Sequence, residues 1–175
     1  MLKRFPAIIL ACFAALLCGW TLAALGADPA SDSVVGHRRP AFDLPDVRGK
    51  ANSIERWDGR IIVLNFWATW CGPCRKEIPL LNSLQKSYAD RGVQFIGVAV
   101  DNATAVQQFL RGVPIDYPVL IGDQEALEII EAYGDRAGAL PYTVFINRAG
   151  NIDSMASGAL TDDYARKTIE HLLKK

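Results

Sequence analysis

The sequence is poor in the residues that metal sites, disulfide frameworks and nucleic-acid surfaces require. It has two histidines, His37 and His171, two methionines, Met1 and Met155, and four cysteines, of which Cys12 and Cys18 fall in an apolar leader. The other two, Cys71 and Cys74, are the only cysteines in residues 28–175, so a scaffold of several bridges is excluded. A structural zinc site takes four ligands, and no spacing brings either histidine to the cysteine pair. Basic and acidic residues are equal at 19 each, and no run of like charge exceeds two or three. Neutralising a phosphate backbone needs a concentrated basic patch, so no nucleic-acid partner is expected. Internal repeats and low-complexity segments are missing as well.

Charge is missing altogether from Phe5 to Ala27, FPAIILACFAALLCGWTLAALGA, which follows Lys3 and Arg4 and ends at Asp28. A helix of this length crosses a hydrocarbon layer about 30 Å thick. The two leading cations favour the cytoplasmic side, which places everything after Asp28 outside. Residues 1–27 therefore read as a signal peptide or an N-terminal membrane anchor. The apolar stretch is longer than the ~7–15 residues usual in a cleaved signal, whereas Ala24-Leu25-Gly26 is a passable cleavage site. If uncleaved, the segment contacts the membrane. Cys12 and Cys18 read as small apolar residues within it, with lipid modification of Cys12 as the alternative. Residues 28–35, DPASDSVV, read as a tether, and 36–175 as one domain with a core large enough to fold without disulfides. Residues 28–175 hold 17 basic and 19 acidic residues, a formal charge of −2. The expected location is the periplasm or the outer face of the cytoplasmic membrane.

What is present is an alternation of strands and helices. FDLPDVRGK suggests a short strand pair, and Asp58-Gly59 a turn. Ile61 to Trp67 is an apolar run broken only by Asn65, which predicts a strand buried on both faces. After Cys71, the spacing of Ile78, Leu81, Leu84 and Tyr88 predicts a helix closed by Gly92, with a kink at Pro79. Val93–Val100 reads as a strand, residues 102–112 and 124–134 as helices, and Pro118–Ile121 as a short strand between them. Leu140–Asn147 and Ile152–Ser157 read as strands joined by a turn over 148–150. Thr161 or Asp162 caps a last helix to Leu173. The fold class expected is an α/β sandwich, a mostly parallel sheet with an antiparallel edge and helices on both faces.

The cysteine pair lies between that buried strand and that amphipathic helix, in NFWATWCGPCRKEIP. Haem attachment needs a histidine directly after the second cysteine, and the residue there is Arg75. A purely structural bridge over so short a loop removes little entropy from the unfolded chain. A redox dithiol fits the local physics better. At the start of a helix the first amides have no intrahelical partner and the dipole is positive, which stabilises a thiolate. Cys71 is therefore the expected attacking sulfur, and Cys74, one turn on, the expected resolving one. Pro73 is tolerated in a first helical turn because its missing amide hydrogen would go unpaired there.

With its neighbours, this segment resembles the active site of the thioredoxin superfamily, and within it the TlpA/ResA-like branch of membrane-anchored or periplasmic thiol-disulfide oxidoreductases. The resemblance extends over roughly residues 36–173, through FDLPDVRGK, VLNFWATWCGPCRKEIP, FIGVAVD and LPYTVFINRAGNI, and the segment 101–134 is similar to that branch's αβ insertion. It implies a thioredoxin-like fold with a mixed central sheet. It implies that Cys71 and Cys74 are catalytic, with Gly72 and Pro73 between them as in thioredoxin, and that Trp67 and Trp70 shield the site. Pro141 matches the proline that stands beside the cysteines after a cis bond, so that Leu140 and Pro141 would offer main-chain groups to a substrate. Glu77 matches an acid near the site; a solvated first-turn glutamate is the alternative. Thioredoxin has a buried aspartate where this chain has Asn65, which cannot serve as a base, so Glu77 or water must take that part.

The function expected is reduction of protein disulfides outside the cytoplasmic membrane by the Cys71-Cys74 dithiol. The resemblance implies a membrane-embedded thiol donor of the CcdA or DsbD kind, and clients in cytochrome c or oxidase maturation. No cofactor and no metal are expected. One alternative is a peroxiredoxin-like thiol peroxidase, whose TxxC pattern fails here because Ala68 stands three residues before Cys71. A second is a metal- or client-binding module without turnover.

Overall fold

The computed structural model describes residues 33–175. The expectations for residues 1–27, and for most of the tether, lie outside the described residues. Val34, near the tether's end, packs against the core. Among the described residues no helix is long and apolar enough to cross a membrane.

The chain opens with an antiparallel pair, β1 (Asp43–Pro45) and β2 (Ala51–Ser53), followed by a 3₁₀ turn over Ile54–Trp57. β3 (Ile61–Trp67) is buried at every position, as an apolar run broken only by Asn65 requires of a central strand. α1 (Gly72–Tyr88) buries Ile78, Leu81, Leu84 and Tyr88, the stripe read from the sequence. Pro79 sits inside α1 without ending it; the carbonyl it leaves without an amide is that of exposed Arg75, which water can serve.

β4 (Val93–Ala99), α2 (Ala103–Leu110) and β5 (Val119–Ile121) follow. α3 (Glu125–Ala132), β6 (Tyr142–Ile146), β7 (Ile152–Ser157) and α4 (Asp162–Leu173) complete the order. The choice between two caps for α4 is settled for Thr161, whose hydroxyl accepts from the Tyr164 amide.

The main sheet has the order β5-β4-β3-β6-β7. β4 runs parallel to β3 and to β5, whereas β6 runs against both β3 and β7. Parallel and antiparallel pairings are thus equal in number, where the sequence pattern suggested a mostly parallel sheet. The reason lies in the link after β5. α3 and the loop behind it deliver the chain to the C-terminal end of β3, where Tyr142 pairs with Phe66, so β6 can only run downward to Ile146 opposite Ile62. A crossover returning to the N-terminal end would have made it parallel.

Alternation along β3 divides the core. Ile61 and Val63 meet Leu81, Leu84 and Tyr88 of α1 and Ala165, Ile169 and Leu172 of α4. Ile62, Leu64 and Phe66 meet Ala126, Ile129 and Ile130 of α3, together with Leu44 from the first hairpin and Ile54 and Trp57 from the 3₁₀ turn after it. A third cluster, at the C-terminal ends of β3 and β4, contains both cysteines.

Where β5 turns into α3, Gly122 lets the helix approach closely: a Cβ there would stand 2.5 Å from that of Ala126 and 3.1 Å from its backbone nitrogen. Gly122→Ala is expected to lower the unfolding free energy by about 1–3 kcal/mol, the usual penalty for overpacking, in urea denaturation of the oxidised domain.

Candidate active site

β3 ends at Trp67, and the chain makes a tight turn in which the Cys71 amide donates to the Ala68 carbonyl at 3.1 Å. Thr69, in the middle of that turn, donates from both its amide and its hydroxyl to the Asp101 carboxylate, just beyond β4. The segment before the cysteines is thus tied to the end of the neighbouring strand. Cys71 then serves as N-cap of α1, with φ −79° and ψ 105°, and its Sγ accepts from the Cys74 amide at 3.2 Å. Pro73 occupies the first turn, where no amide hydrogen is needed.

Cys71 and Cys74 are joined as a disulfide, with Cα atoms 5.3 Å apart. Cys71 keeps 5% exposure and Cys74 none. Beneath and beside them pack Trp67, Ala68, Ile78 and Val106, with Phe109 and Leu140 against the same cluster. Gly72 is exposed, and a Cβ added to it would meet nothing within 4 Å, so the surface over the bridge is clear.

The two tryptophans part company. Trp67 is 1% exposed and stacks at a tilt on Phe109, 5.3 Å between ring centroids, so it shields the bridge from below. Trp70 is 69% exposed and projects into solvent directly before Cys71. The Leu140–Pro141 bond is cis, and the Pro141 carbonyl accepts from the Gly158 amide at 2.8 Å.

Glu77 is not a solvated first-turn residue: it is 4% exposed, one helical turn beyond Cys74. Its Oε1 accepts from the Asn65 amide at 2.9 Å, and its Oε2 from the Leu160 backbone amide at 3.0 Å. Asn65 also donates to the Thr143 hydroxyl at 3.0 Å, across the β3–β6 pairing that sets the two residues opposite each other. Burial raises the Glu77 pKa above the ordinary carboxylate value, and the two hydrogen bonds only partly oppose this. Tyr117 lies within reach of the same charge; burial first, and Glu77 second, push its pKa up.

Sequence reasoning did not single out Thr69, Asp101, Thr143 or Leu160. Thr143 left a signal, since it is a polar residue at a position facing the core in an apolar strand, and Asp101 another, directly after a buried strand. Leu160 left none, because any residue but proline supplies an amide.

Comparison with known proteins bears on the family and the fold. The AhpC/TSA family matches residues 35–155. The chain is 31% identical to the thiol-disulfide oxidoreductase ResA of Geobacillus thermodenitrificans, over 94% of this chain and 92% of that one. It is also 31% identical to the ResA of Bacillus subtilis, over 73% and 69%. Among solved structures, a thiol:disulfide interchange protein of the thioredoxin family from Chlorobium tepidum aligns with a TM-score of 0.69 and 30% identity, covering 78% of this chain and 95% of that one. The fold is thioredoxin-like, and the chain belongs to the AhpC/TSA family as a thiol-disulfide oxidoreductase of the ResA type.

Proposed function

We propose that the protein reduces disulfides of partner proteins outside the cytoplasmic membrane, with Cys71 as nucleophile and Cys74 as resolving thiol. The observation that carries this reading is the Cys71 Sγ at the start of α1, accepting the Cys74 amide. In the reduced state the same amide and the helix dipole hold the Cys71 thiolate. That thiolate attacks a client disulfide, forming a mixed disulfide and releasing one client sulfur as thiolate. Cys74 then loses its proton and attacks the Cys71 sulfur, which expels the second client sulfur. Two electrons pass to the client, its two sulfurs leave as thiols, and the Cys71-Cys74 bridge remains.

Glu77 suits the proton step. It is buried, one turn from Cys74, and its raised pKa brings it closer to neutral pH than an exposed glutamate. Asn65 and Thr143 act as positioning residues for its carboxylate. Exposed Trp70 directly precedes Cys71, and Leu140, before the cis Pro141, packs against the cluster around the bridge, so these are the groups a client would meet. The charge-free leader and its two cations support export, and the Gly72-Pro73 dipeptide supports reduction over oxidation, since thioredoxin shares it and has a potential of about −270 mV. Reducing equivalents in an oxidising compartment then come from a membrane thiol donor of the CcdA or DsbD kind, and clients belong to cytochrome c or oxidase maturation.

Cys74→Ser should leave clients attached to Cys71 as stable mixed disulfides that mass spectrometry can identify, whereas Cys71→Ser should trap none. The midpoint potential of the soluble domain is expected below about −200 mV; a more oxidising value would speak for an oxidase or isomerase.

A pH dependence follows from Glu77. Because its pKa is higher in the folded domain than in the unfolded chain, its contribution to stability is complete below the unfolded value and is lost as pH rises through the folded one. As pH rises above about 4.5, the oxidised wild type should therefore lose unfolding free energy relative to Glu77→Gln, as read by urea titration at each pH. The same variant should slow resolution of the mixed disulfide while leaving alkylation of Cys71 in the reduced protein nearly unchanged.

A further inference from the structure

The chain has no linear run of basic residues, yet the fold gathers three arginines around one cleft. Arg48, Arg56 and Arg60 line a cavity of about 560 Å³ beside β4 and β5, floored by apolar residues that include Trp57, Tyr117 and Leu120. All three are exposed. Arg56 donates to the Asn52 side chain at 2.7 Å and lies 6.0 Å from the Trp57 ring centroid, and Arg60 donates to Gln94 at 3.3 Å. None of them forms an ion pair among the described residues, whereas Arg38, Arg39, Arg91 and Arg166 all do. Asp46 is the single acid in the lining; its Oδ1 already accepts from the Arg48 and Lys50 amides. Three guanidiniums against one carboxylate make this cleft positive on a domain whose basic and acidic residues balance at 17 each over residues 36–175.

The cleft adjoins the redox site. Val47, Leu110, Ile115 and Val119 belong to its wall and also to the cluster around Cys71 and Cys74. Its lining reaches from Gln94 in β4 to Leu120 in β5, whose partner Val98 stands four positions beyond Gln94, about 13 Å of strand. That length suits an extended peptide of about four residues. β5 is an edge strand, and among the described residues its outer side makes a single bridge, Asp46 to Leu120.

We propose that this cleft docks an acidic, extended segment of the client protein, with carboxylates on Arg48, Arg56 and Arg60 and alternate apolar side chains on the floor. The proposal rests on the disulfide-reductase reading for the identity of its occupant. Guanidiniums pair bidentately with carboxylates, and alternation along an extended chain presents one row of side chains to the arginines and the other to the floor. Docking here would hold a client while its disulfide reaches Cys71, and would select clients by the charge flanking their cysteines.

The test uses a fluorescein-labelled, cysteine-free peptide of alternating glutamate and leucine, with glutamine and lysine versions, and fluorescence anisotropy on the oxidised exported domain. The acidic peptide should bind the wild type, weaken as salt is raised, and exceed the glutamine version. Arg56→Glu with Arg60→Glu should lose the acidic peptide by about tenfold or more and gain the lysine version. Arg56→Gln with Arg60→Gln should lose the first without gaining the second, and thermal unfolding by circular dichroism checks that each variant folds. No binding to the wild type, or equal binding to wild type and folded variants, overturns the proposal. Insulin reduction by the wild type is measured in parallel. Reduction without peptide binding sinks the docking surface alone; binding without reduction removes the reductase reading and with it the client as occupant.

Discussion

The site depends on one junction, the point where a strand buried on every side hands the chain to the start of a helix. β3 is held by β4 on one edge and β6 on the other as far as Phe66, and Trp67 is still paired with Ala99 of β4, so the strand end cannot shift without breaking its ladders. Whatever follows Trp67 inherits that rigidity. The turn through Ala68 and Thr69 is short enough to carry it to Cys71, and the Asp101 carboxylate removes the freedom Thr69 would have kept. The first sulfur is therefore placed at the positive end of α1 by the sheet rather than by the helix. The second follows from helical geometry, since Cys74 lies one turn on and within the core.

A second constraint grows from the first. A carboxylate as buried as that of Glu77 is unfavourable unless it finds donors, and it finds them from two directions: the Asn65 side chain in β3 and the Leu160 amide ahead of α4. The arrangement leaves a proton acceptor whose affinity is raised by burial and restrained by hydrogen bonds. Had Asn65 been an aspartate, two carboxylates would share the pocket, and one would be forced to hold a proton. The amide avoids this by donating to Glu77 without itself having to take up a proton.

The loops and the arginine cleft show what a linear reading loses. Residues 48, 56 and 60 are separated by turns and a 3₁₀ segment, so they form no charge run, and only the packing of the first hairpin against β4 and β5 brings them to one cavity. Likewise the direction of β6 could not be read from its own residues. A hairpin with β7 states only that the two run opposite ways; the path through α3 decides which of them opposes β3.

By itself the sequence determined the local elements and the chemistry they offer. Apolar runs define the strands, a stripe through Ile78, Leu81, Leu84 and Tyr88 defines α1, and two cysteines spaced by glycine and proline stand between them. These are short-range facts, set by period and by steric preference, and they hold within a dozen residues. The tertiary structure alone decided what surrounds those cysteines: Asp101 holding Thr69, Thr143 and Leu160 completing the shell around Asn65 and Glu77, and three arginines collected on one wall. Each of these joins residues far apart in the chain. Such contacts exist only once hydrophobic burial has fixed the register of the sheet and the seat of its helices.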